Sequence, residues 1–195
     1  MKRFVIAVDT QGDFMNADGA LSVAGADALT APMQHWLAAL RPEETEGVLF
    51  TFDTHLKETF FTMPESKEFP IHCVRETEGW ANVLDASAVD PAIPTWRLEK
   101  GVFDMWAEDG VMIEPVRGNA APVEREAFFE GLKASGITEV AVIGVAADYC
   151  VKWAVEGLIA RGFKVTLPKG LTKGIHRPID RVLTEDFADK AVALV

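Results

Sequence analysis

The sequence predicts an α/β protein with a parallel sheet that is covered by helices on both faces. Four short apolar runs, rich in β-branched side chains and bounded by charged or turn residues, have the character of buried strands. They cover residues 4–8, 48–52, 140–145 and 163–167. Helical spacing of apolar residues occurs between these runs, and strands that alternate with helices are typical of a parallel sheet. A length of 195 residues with 49% hydrophobic content predicts one domain over residues 1–195.

The ends of the predicted helices are marked by residues suited to those positions. A helix that begins near residue 30 has Pro32 in its first turn, and a second begins with Glu124 and Glu126, where carboxylates favour the positive end of the helix dipole. Gly136 and Gly162 stand where helices end and strands follow. By contrast, residues 53–96 are irregular and contain several prolines, and a long loop of this kind is usually functional.

Composition excludes several classes of partner. The net charge of −11 and the pI near 4.8 disfavour binding to nucleic acid and to anionic membranes, which need clustered Lys and Arg. The first residues read as a strand rather than a signal peptide, and no run is long enough to span a membrane. Only two cysteines occur, which fits reduced thiols in the cytoplasm. Homo-oligomerisation is left open.

Cys150 is a candidate nucleophile. Ligands of open parallel sheets bind beyond the carboxyl ends of the strands, and Cys150 follows a small-residue turn after one predicted strand and begins the helix Cys150–Ala160. A helix N-terminus is expected to lower the pKa of a thiol, and the turn offers N–H groups for an oxyanion. The alternative is a small buried core cysteine, which is the commoner role of a cysteine.

Asp9 and Lys100 are candidate partners of that cysteine. Asp9 ends a buried strand, where a carboxylate needs a cation or a hydrogen-bond donor. Lys100 could supply that charge if its segment forms another strand of the sheet. The alternatives are a capping role for Asp9 and a solvated surface position for Lys100.

A second group of residues has the chemistry of a metal site. Asp53 and His55 stand two apart at a strand end and so face the same way, and Glu65 and His72 follow in the long loop. This oxygen and imidazole set is able to hold Zn²⁺, Mn²⁺ or Fe²⁺. Cys73 is an additional candidate ligand, with core packing as its alternative role.

Five motifs occur in order along the chain. They are Asp9-x-Gln11-x-Asp13-Phe14, Asp53-x-His55, Pro64-Glu65-Ser66-Lys67-x-Phe69-Pro70-x-His72-Cys73, Glu99-Lys100-Gly101 and Gly144-x-x-x-Asp148-Tyr149-Cys150-Val151. Together they resemble the nicotinamidases of the isochorismatase-like cysteine hydrolases. The resemblance spans residues 4–174.

The resemblance implies a six-stranded parallel sheet with helices on both faces, a catalytic triad and one divalent metal ion, with zinc first and manganese or iron as alternatives. The triad corresponds to Asp9, Lys100 and Cys150. Asp53, His55 and His72 correspond to three metal ligands. Many relatives have a further histidine where this chain has Phe61, so Glu65 of the Pro-Glu-Ser-Lys motif is the expected fourth ligand, with water as the alternative. A cis peptide is expected at Val145–Ala146.

The activity that the resemblance implies is hydrolysis of nicotinamide, and of amides such as pyrazinamide, to the acid and ammonia within NAD salvage. Asp9 would take the proton of Cys150, whose thiolate attacks the amide carbon to form a thioester. The N–H groups of Ala146 and Cys150 would hold the oxyanion, and Lys100 would stabilise the negative charges. The aromatic side chains expected around the substrate ring are Phe14, Phe69 and Trp106, with core packing as the alternative for each.

Three other functions are weighed against this one. An N-carbamoyl or ureidoacrylate-type amidohydrolase of the same superfamily would lack the Asp-x-His metal set. A non-catalytic metal-binding relative would have no reason to keep Asp9, Lys100 and Cys150 together. An isochorismatase that cleaves a vinyl ether would not need a thiol nucleophile.

Overall fold

A twisted sheet organises the computed structural model, which describes residues 2–195. In the described chain the sheet has nine strands in the order β5-β4-β3-β2-β1-β6-β7-β9, with β8 paired to β6. The strands are β1 Arg3–Val8, β2 Thr45–Asp53, β3 Thr95–Lys100, β4 Met112–Pro115, β5 Val123–Glu124, β6 Glu139–Val145, β7 Lys164–Leu167, β8 Thr172–Lys173 and β9 Val192–Leu194. Strands β3-β2-β1-β6-β7-β9 are parallel and match the six implied by the resemblance. The additional strands are short, and β4 and β5 pair antiparallel at one edge.

Helices join the parallel strands and cover the sheet. They are α1 Gly12–Met15, α2 Thr30–Ala38, α3 Lys57–Phe60, α4 Arg125–Ala134, α5 Cys150–Ala160 and α6 Ile179–Asp186. The predicted helix after residue 149 is found with the expected bounds. Glu124 differs from the prediction because it precedes α4 as its N-cap, where its carboxylate accepts hydrogen bonds from the N–H groups of Glu126 and Ala127. Gly136 and Gly162 have φ of 88° and 83°, which confirms both predicted helix ends.

Strand β1 shows how the two faces of the sheet are buried. Phe4, Ile6 and Val8 pack in one apolar cluster with residues of α4, α5 and α6, whereas Val5 and Ala7 pack in a second cluster with residues of α2. Side chains alternate along a strand, so a run that is apolar at every position must be covered on both faces. The prediction of a sheet covered on both sides is therefore confirmed.

Among the helices of residues 2–195, none is both long enough and apolar enough to cross a membrane.

Candidate active site and metal centre

Four neighbouring elements bring the predicted site residues to one edge of the sheet. Asp9 follows β1, Asp53 ends β2, Lys100 ends β3, and Cys150 begins α5 after β6. Strands β2 and β3 pair in a register that sets Asp53 opposite Lys100, and this pairing confirms that the segment of Lys100 is a strand of the sheet. The carboxyl ends of parallel strands meet at this edge, which explains how residues distant in sequence converge.

Asp9, Lys100 and Cys150 are in contact and buried. Lys100 Nζ lies 2.8 Å from Asp9 Oδ2 and donates to Cys150 Sγ at 3.7 Å. The other oxygen of Asp9 accepts a 2.5 Å hydrogen bond from the Thr51 hydroxyl, which in turn accepts a 3.1 Å hydrogen bond from the Asp9 N–H. Asp9 has φ of 47°, an uncommon value for a residue other than glycine, and Thr51 holds it from both sides. The arrangement places a carboxylate, an ammonium group and a thiol within reach of one another.

Burial and the charges in this cluster keep the Cys150 thiol protonated in the absence of substrate. Burial raises the pKa of the Cys150 thiol well above its ordinary value, and the nearby Asp9 carboxylate raises it further, whereas Lys100 lowers it. The pKa of Cys150 is therefore raised by burial and by the Asp9 carboxylate, which contradicts the expectation that the helix N-terminus lowers it. Burial alone would lower the pKa of Lys100, but the carboxylates of Asp53 and Asp9 raise it well above its usual range, so the lysine remains an ammonium ion. A thiol in this state needs a base to become a nucleophile, and Asp9 is beside it.

Asp53, His55, Glu65 and His72 form a group that could hold a metal ion. Their four ligand atoms lie within 4.8 Å of one another. Asp53 Oδ2 is 3.1 Å from His55 Nε2 and 3.0 Å from His72 Nε2, and Glu65 Oε2 is 3.3 Å from His55 Nε2. Tetrahedral ligands about 2.1 Å from a zinc ion would be roughly 3.4 Å apart, close to these separations.

Hydrogen bonding and charge around this group also fit a cation. His72 Nδ1 donates a hydrogen bond to the Pro70 carbonyl at 2.8 Å, which leaves the Nε2 lone pair directed at the group. Burial alone would lower the pKa of His55, but Asp53 and Glu65 raise it to about 9. Two carboxylates thus stabilise positive charge at the point where a metal ion would bind. Glu65 Oε2 is buried and accepts no hydrogen bond from residues 2–195, which fits a ligand atom.

The turn before Cys150 has the backbone expected of an oxyanion site. The Val145–Ala146 peptide is cis, as the resemblance implies. The N–H groups of Tyr149 and Val151 donate to the Ala146 carbonyl within the turn, and the Ala147 N–H donates to the Lys173 carbonyl of β8. These bonds do not use the N–H groups of Ala146 and Cys150, the two that are expected to bind the oxyanion.

Aromatic rings adjoin the histidines of the metal group. Phe14 lies 5.4 Å from the His72 ring, and Phe103 stacks on His72 at 5.9 Å between centroids. Phe69 contacts Phe103 and Tyr149 edge to face, each at 5.4 Å. Phe14 thus lies beside a histidine of the metal group, and Phe69 lies next to Phe103, which itself stacks on His72.

Trp106 lies elsewhere. Its ring packs 4.9 Å from Phe129 and carries the Arg161 guanidinium 3.7 Å above it, and its indole N–H donates to the Ala154 carbonyl of α5. These contacts are those of the core-packing alternative rather than of a residue beside the metal group. The sequence analysis missed Phe103, whose ring stacks on His72.

Thr51 was also missed by the sequence analysis. A threonine within an apolar strand is an ordinary strand former, and nothing in its position marks it as a partner of Asp9. Its place two residues before Asp53, on the same side of β2, was the available signal.

One protein-family model, described as the isochorismatase domain, matches residues 3–191 of the chain. The chain belongs to the isochorismatase domain family. Across 99% of its length, this isochorismatase domain is 30% identical to the nicotinamidase/pyrazinamidase of Mycobacterium tuberculosis (strain ATCC 25618 / H37Rv), 98% of which is covered.

Solved structures show the same fold. The isochorismatase domain matches PnC1 from L. infantum in complex with nicotinate with a TM-score of 0.75 and 24% identity, over 100% of this chain and 92% of the other. It matches the pyrazinamidase of Pyrococcus horikoshii in complex with zinc with a TM-score of 0.73 and 23% identity, over 100% of this chain and 99% of the other.

Proposed function

We propose that this protein is a cysteine amidohydrolase of the nicotinamidase type, which hydrolyses nicotinamide and similar aromatic amides to the acid and ammonia. The observation that carries the proposal is the position of Lys100 Nζ, which contacts Asp9 Oδ2 at 2.8 Å, Cys150 Sγ at 3.7 Å and Asp53 Oδ1 at 3.5 Å. Lys100 thus joins a nucleophile and base to the group that could hold a metal ion. Full-length similarity to a nicotinamidase/pyrazinamidase supports the same activity.

The first half of the reaction forms a thioester on Cys150. Asp9 accepts the thiol proton, and the sulfur attacks the carboxamide carbon. The oxygen of that group becomes an oxyanion, which the N–H groups of Ala146 and Cys150 bind. Asp9 then gives its proton to the amide nitrogen, the C–N bond breaks, and ammonia leaves.

The second half returns the enzyme to its resting state. Asp9 takes a proton from water, and the hydroxide attacks the thioester carbon. The C–S bond breaks, the carboxylic acid leaves, and the proton held by Asp9 returns to the sulfur. Lys100 stays protonated throughout and stabilises the negative charge as it moves between Asp9 and Cys150.

Asp53, His55, Glu65 and His72 would hold one divalent ion, with zinc as our first choice and manganese or iron as alternatives. When bound, the ion would supply Lewis acidity toward the ring nitrogen of the substrate. Phe14, Phe69 and Phe103 would enclose the ring and exclude water from it.

A substrate panel tests this assignment against its closest alternative. The purified protein should release ammonia from nicotinamide and pyrazinamide far faster than from N-carbamoylsarcosine, because the proposed pocket has aromatic walls and a ligand for a ring nitrogen. Metal content of the same preparation should approach one ion per chain. A preference for the N-carbamoyl substrate would instead identify the protein as an N-carbamoyl amidohydrolase of the same superfamily.

A further inference from the structure

We propose that Gln11 and Asp13 are positioning residues that attach the two metal-ligand segments to the turn carrying Asp9. Neither side chain has a part in the reaction described above, although both belong to the motif that begins with Asp9. Each makes hydrogen bonds to the backbone of a segment that provides metal ligands. The proposal rests on the proposed function only in so far as it takes Asp53 and His72 to be ligands.

Gln11 brackets the backbone of Asp53. Its side-chain amide donates to the Asp53 carbonyl at 2.8 Å, and its side-chain oxygen accepts from the Asp53 N–H at 2.7 Å. The same amide donates to the Trp80 carbonyl at 2.9 Å. Gln11 is fully buried, so water does not replace these bonds when they are lost. The two bonds together fix the position and orientation of the Asp53 backbone.

Asp13 acts on the segment that contains His72. One carboxylate oxygen accepts a 2.7 Å hydrogen bond from the N–H of Cys73, and the other accepts a 3.1 Å hydrogen bond from the N–H of Ala20. Cys73 has φ of 45°, an uncommon conformation outside glycine, and it directly follows His72. A charge-assisted bond at this point stabilises a backbone conformation that the residue would otherwise leave.

The surrounding chain is shaped to admit the Asp13 carboxylate. A Cβ atom on Gly79 would overlap that carboxylate, so the glycine leaves the space that Asp13 fills. The Asp13 N–H in turn donates to the Gly79 carbonyl at 2.8 Å. Asp13 is therefore fixed by its own backbone and bonded through both oxygens.

Gln11 and Asp13 control the positions of the metal ligands rather than those of the reacting atoms. Asp53 Oδ2 must lie within bonding range of an ion that His72 also binds, and small shifts of either backbone segment would separate them. Gln11 and Asp13 fix both segments to one short turn. Loss of groups that orient metal ligands typically lowers metal affinity by roughly 10- to 100-fold, and we expect changes in this range.

The test measures zinc affinity of the metal-free full chain by competition with a chromogenic chelator. Gln11→Met keeps the length of the side chain and removes its three hydrogen bonds, and Asp13→Asn keeps the shape and turns one acceptor into a donor. Gln34 offers a matched control, because its amide brackets the backbone of Asp85 in the same two-sided way at 2.7 and 3.1 Å, outside the site. Gln34→Met should bind zinc as the wild type does.

A second readout separates positioning from general stability. Zinc raises the melting temperature of a protein that binds it in the folded state, by an amount set by its affinity. A purely structural role would lower the melting temperature with and without zinc alike and leave the zinc-induced rise unchanged. The proposal expects a smaller rise in Gln11→Met and Asp13→Asn, and an unchanged rise in Gln34→Met.

The outcomes are distinct. Weaker zinc binding in both site variants, with normal binding in the control, supports the proposal. Wild-type affinity and a full zinc-induced rise in Gln11→Met and Asp13→Asn would overturn it and leave the proposed function standing. A wild-type chain that binds no zinc, manganese or iron would overturn it together with the metal part of the proposed function.

Discussion

Lys100 Nζ lies 2.8 Å from Asp9 Oδ2, and both side chains are almost fully buried. A buried ion pair is costly to form and very costly to break, because removal of one partner leaves an unpaired charge away from water. Its position beside the Cys150 thiol gives the pair a chemical role. Changes to Asp9 or Lys100 should therefore alter both the reactivity of the Cys150 thiol and the rate of the reaction.

Cys150 should be the reactive thiol and Cys73 the inert one. Iodoacetamide should label Cys150 first, and nicotinamide should protect it. Cys150 Sγ contacts Lys100 beside the base Asp9, whereas Cys73 packs fully buried in the apolar cluster on the other face of the sheet, so Cys73→Ser should keep most of the activity. Peptide mapping by mass spectrometry checks this order. Labelling of Cys73 ahead of Cys150, with parallel loss of activity, would reverse the assignment.

Asp9→Asn should separate thiol reactivity from catalysis. Removal of the carboxylate takes away an anion that raises the pKa of Cys150, so thiolate should form at lower pH and alkylation should become faster at a given pH. Lys100→Gln removes a cation that lowers this pKa and should shift the alkylation profile to higher pH. Both variants should lose roughly 100-fold or more in kcat. Near-normal kcat in Asp9→Asn would mean that another group is the base.

Metal removal should affect amides unequally. Nicotinamide has a ring nitrogen that the ion can bind, whereas benzamide has none, so chelation should sharply lower kcat/KM for nicotinamide and change the already low value for benzamide little. A metal that supplied the attacking hydroxide would be needed for both amides. Equal fractional losses for the two amides would contradict the anchor role.

Glu65→Ala should weaken metal binding. Its Oε2 lies 3.3 Å from His55 Nε2, at a ligand position of the metal group. Glu58→Ala is the matched control, because Glu58 is exposed in the same connection between β2 and β3. Metal affinity should fall in the first variant only. An unchanged affinity in Glu65→Ala would remove this residue from the ligand set.

Phe69→Ala should raise KM for nicotinamide more than it lowers kcat. Contacts between aromatic rings contribute about 0.5–1.5 kcal/mol each, which corresponds to roughly 2- to 13-fold in binding. Phe61→Ala provides the control, since Phe61 is 70% exposed on the same loop. Steady-state kinetics of the two variants checks the prediction. A normal KM in Phe69→Ala would exclude this ring from the pocket.

The sequence was most informative where local pattern and burial agree. Apolar runs rich in β-branched residues indicated β1, β2, β6 and β7. The runs in β1 and β6 are almost continuous, because strands covered on both faces bury side chains in both directions. Strand β3 reads Thr-Trp-Arg-Leu-Glu-Lys and carries no such run, so its place in the sheet depended on its pairing with β2. The strands of two to four residues at the edges have too few side chains to show a pattern.

The same limit applies to the site. Ordered motifs predicted the residues that the structure brings together around Lys100 and His72. They gave no indication that Phe103 would stack on His72 while Trp106 packs against Phe129, because aromatic residues in a loop look alike until the loop path is known. The raised pKa of Cys150 was also missed, since burial and neighbouring charge depend on tertiary structure.

Ammonia release from nicotinamide by the purified, metal-loaded protein, with Cys150→Ala as the matched control, tests the proposed hydrolysis most directly. The wild type should form nicotinate and ammonia rapidly and in equal amounts, and the folded variant should show only the background rate. A wild-type rate no higher than that of Cys150→Ala would contradict it.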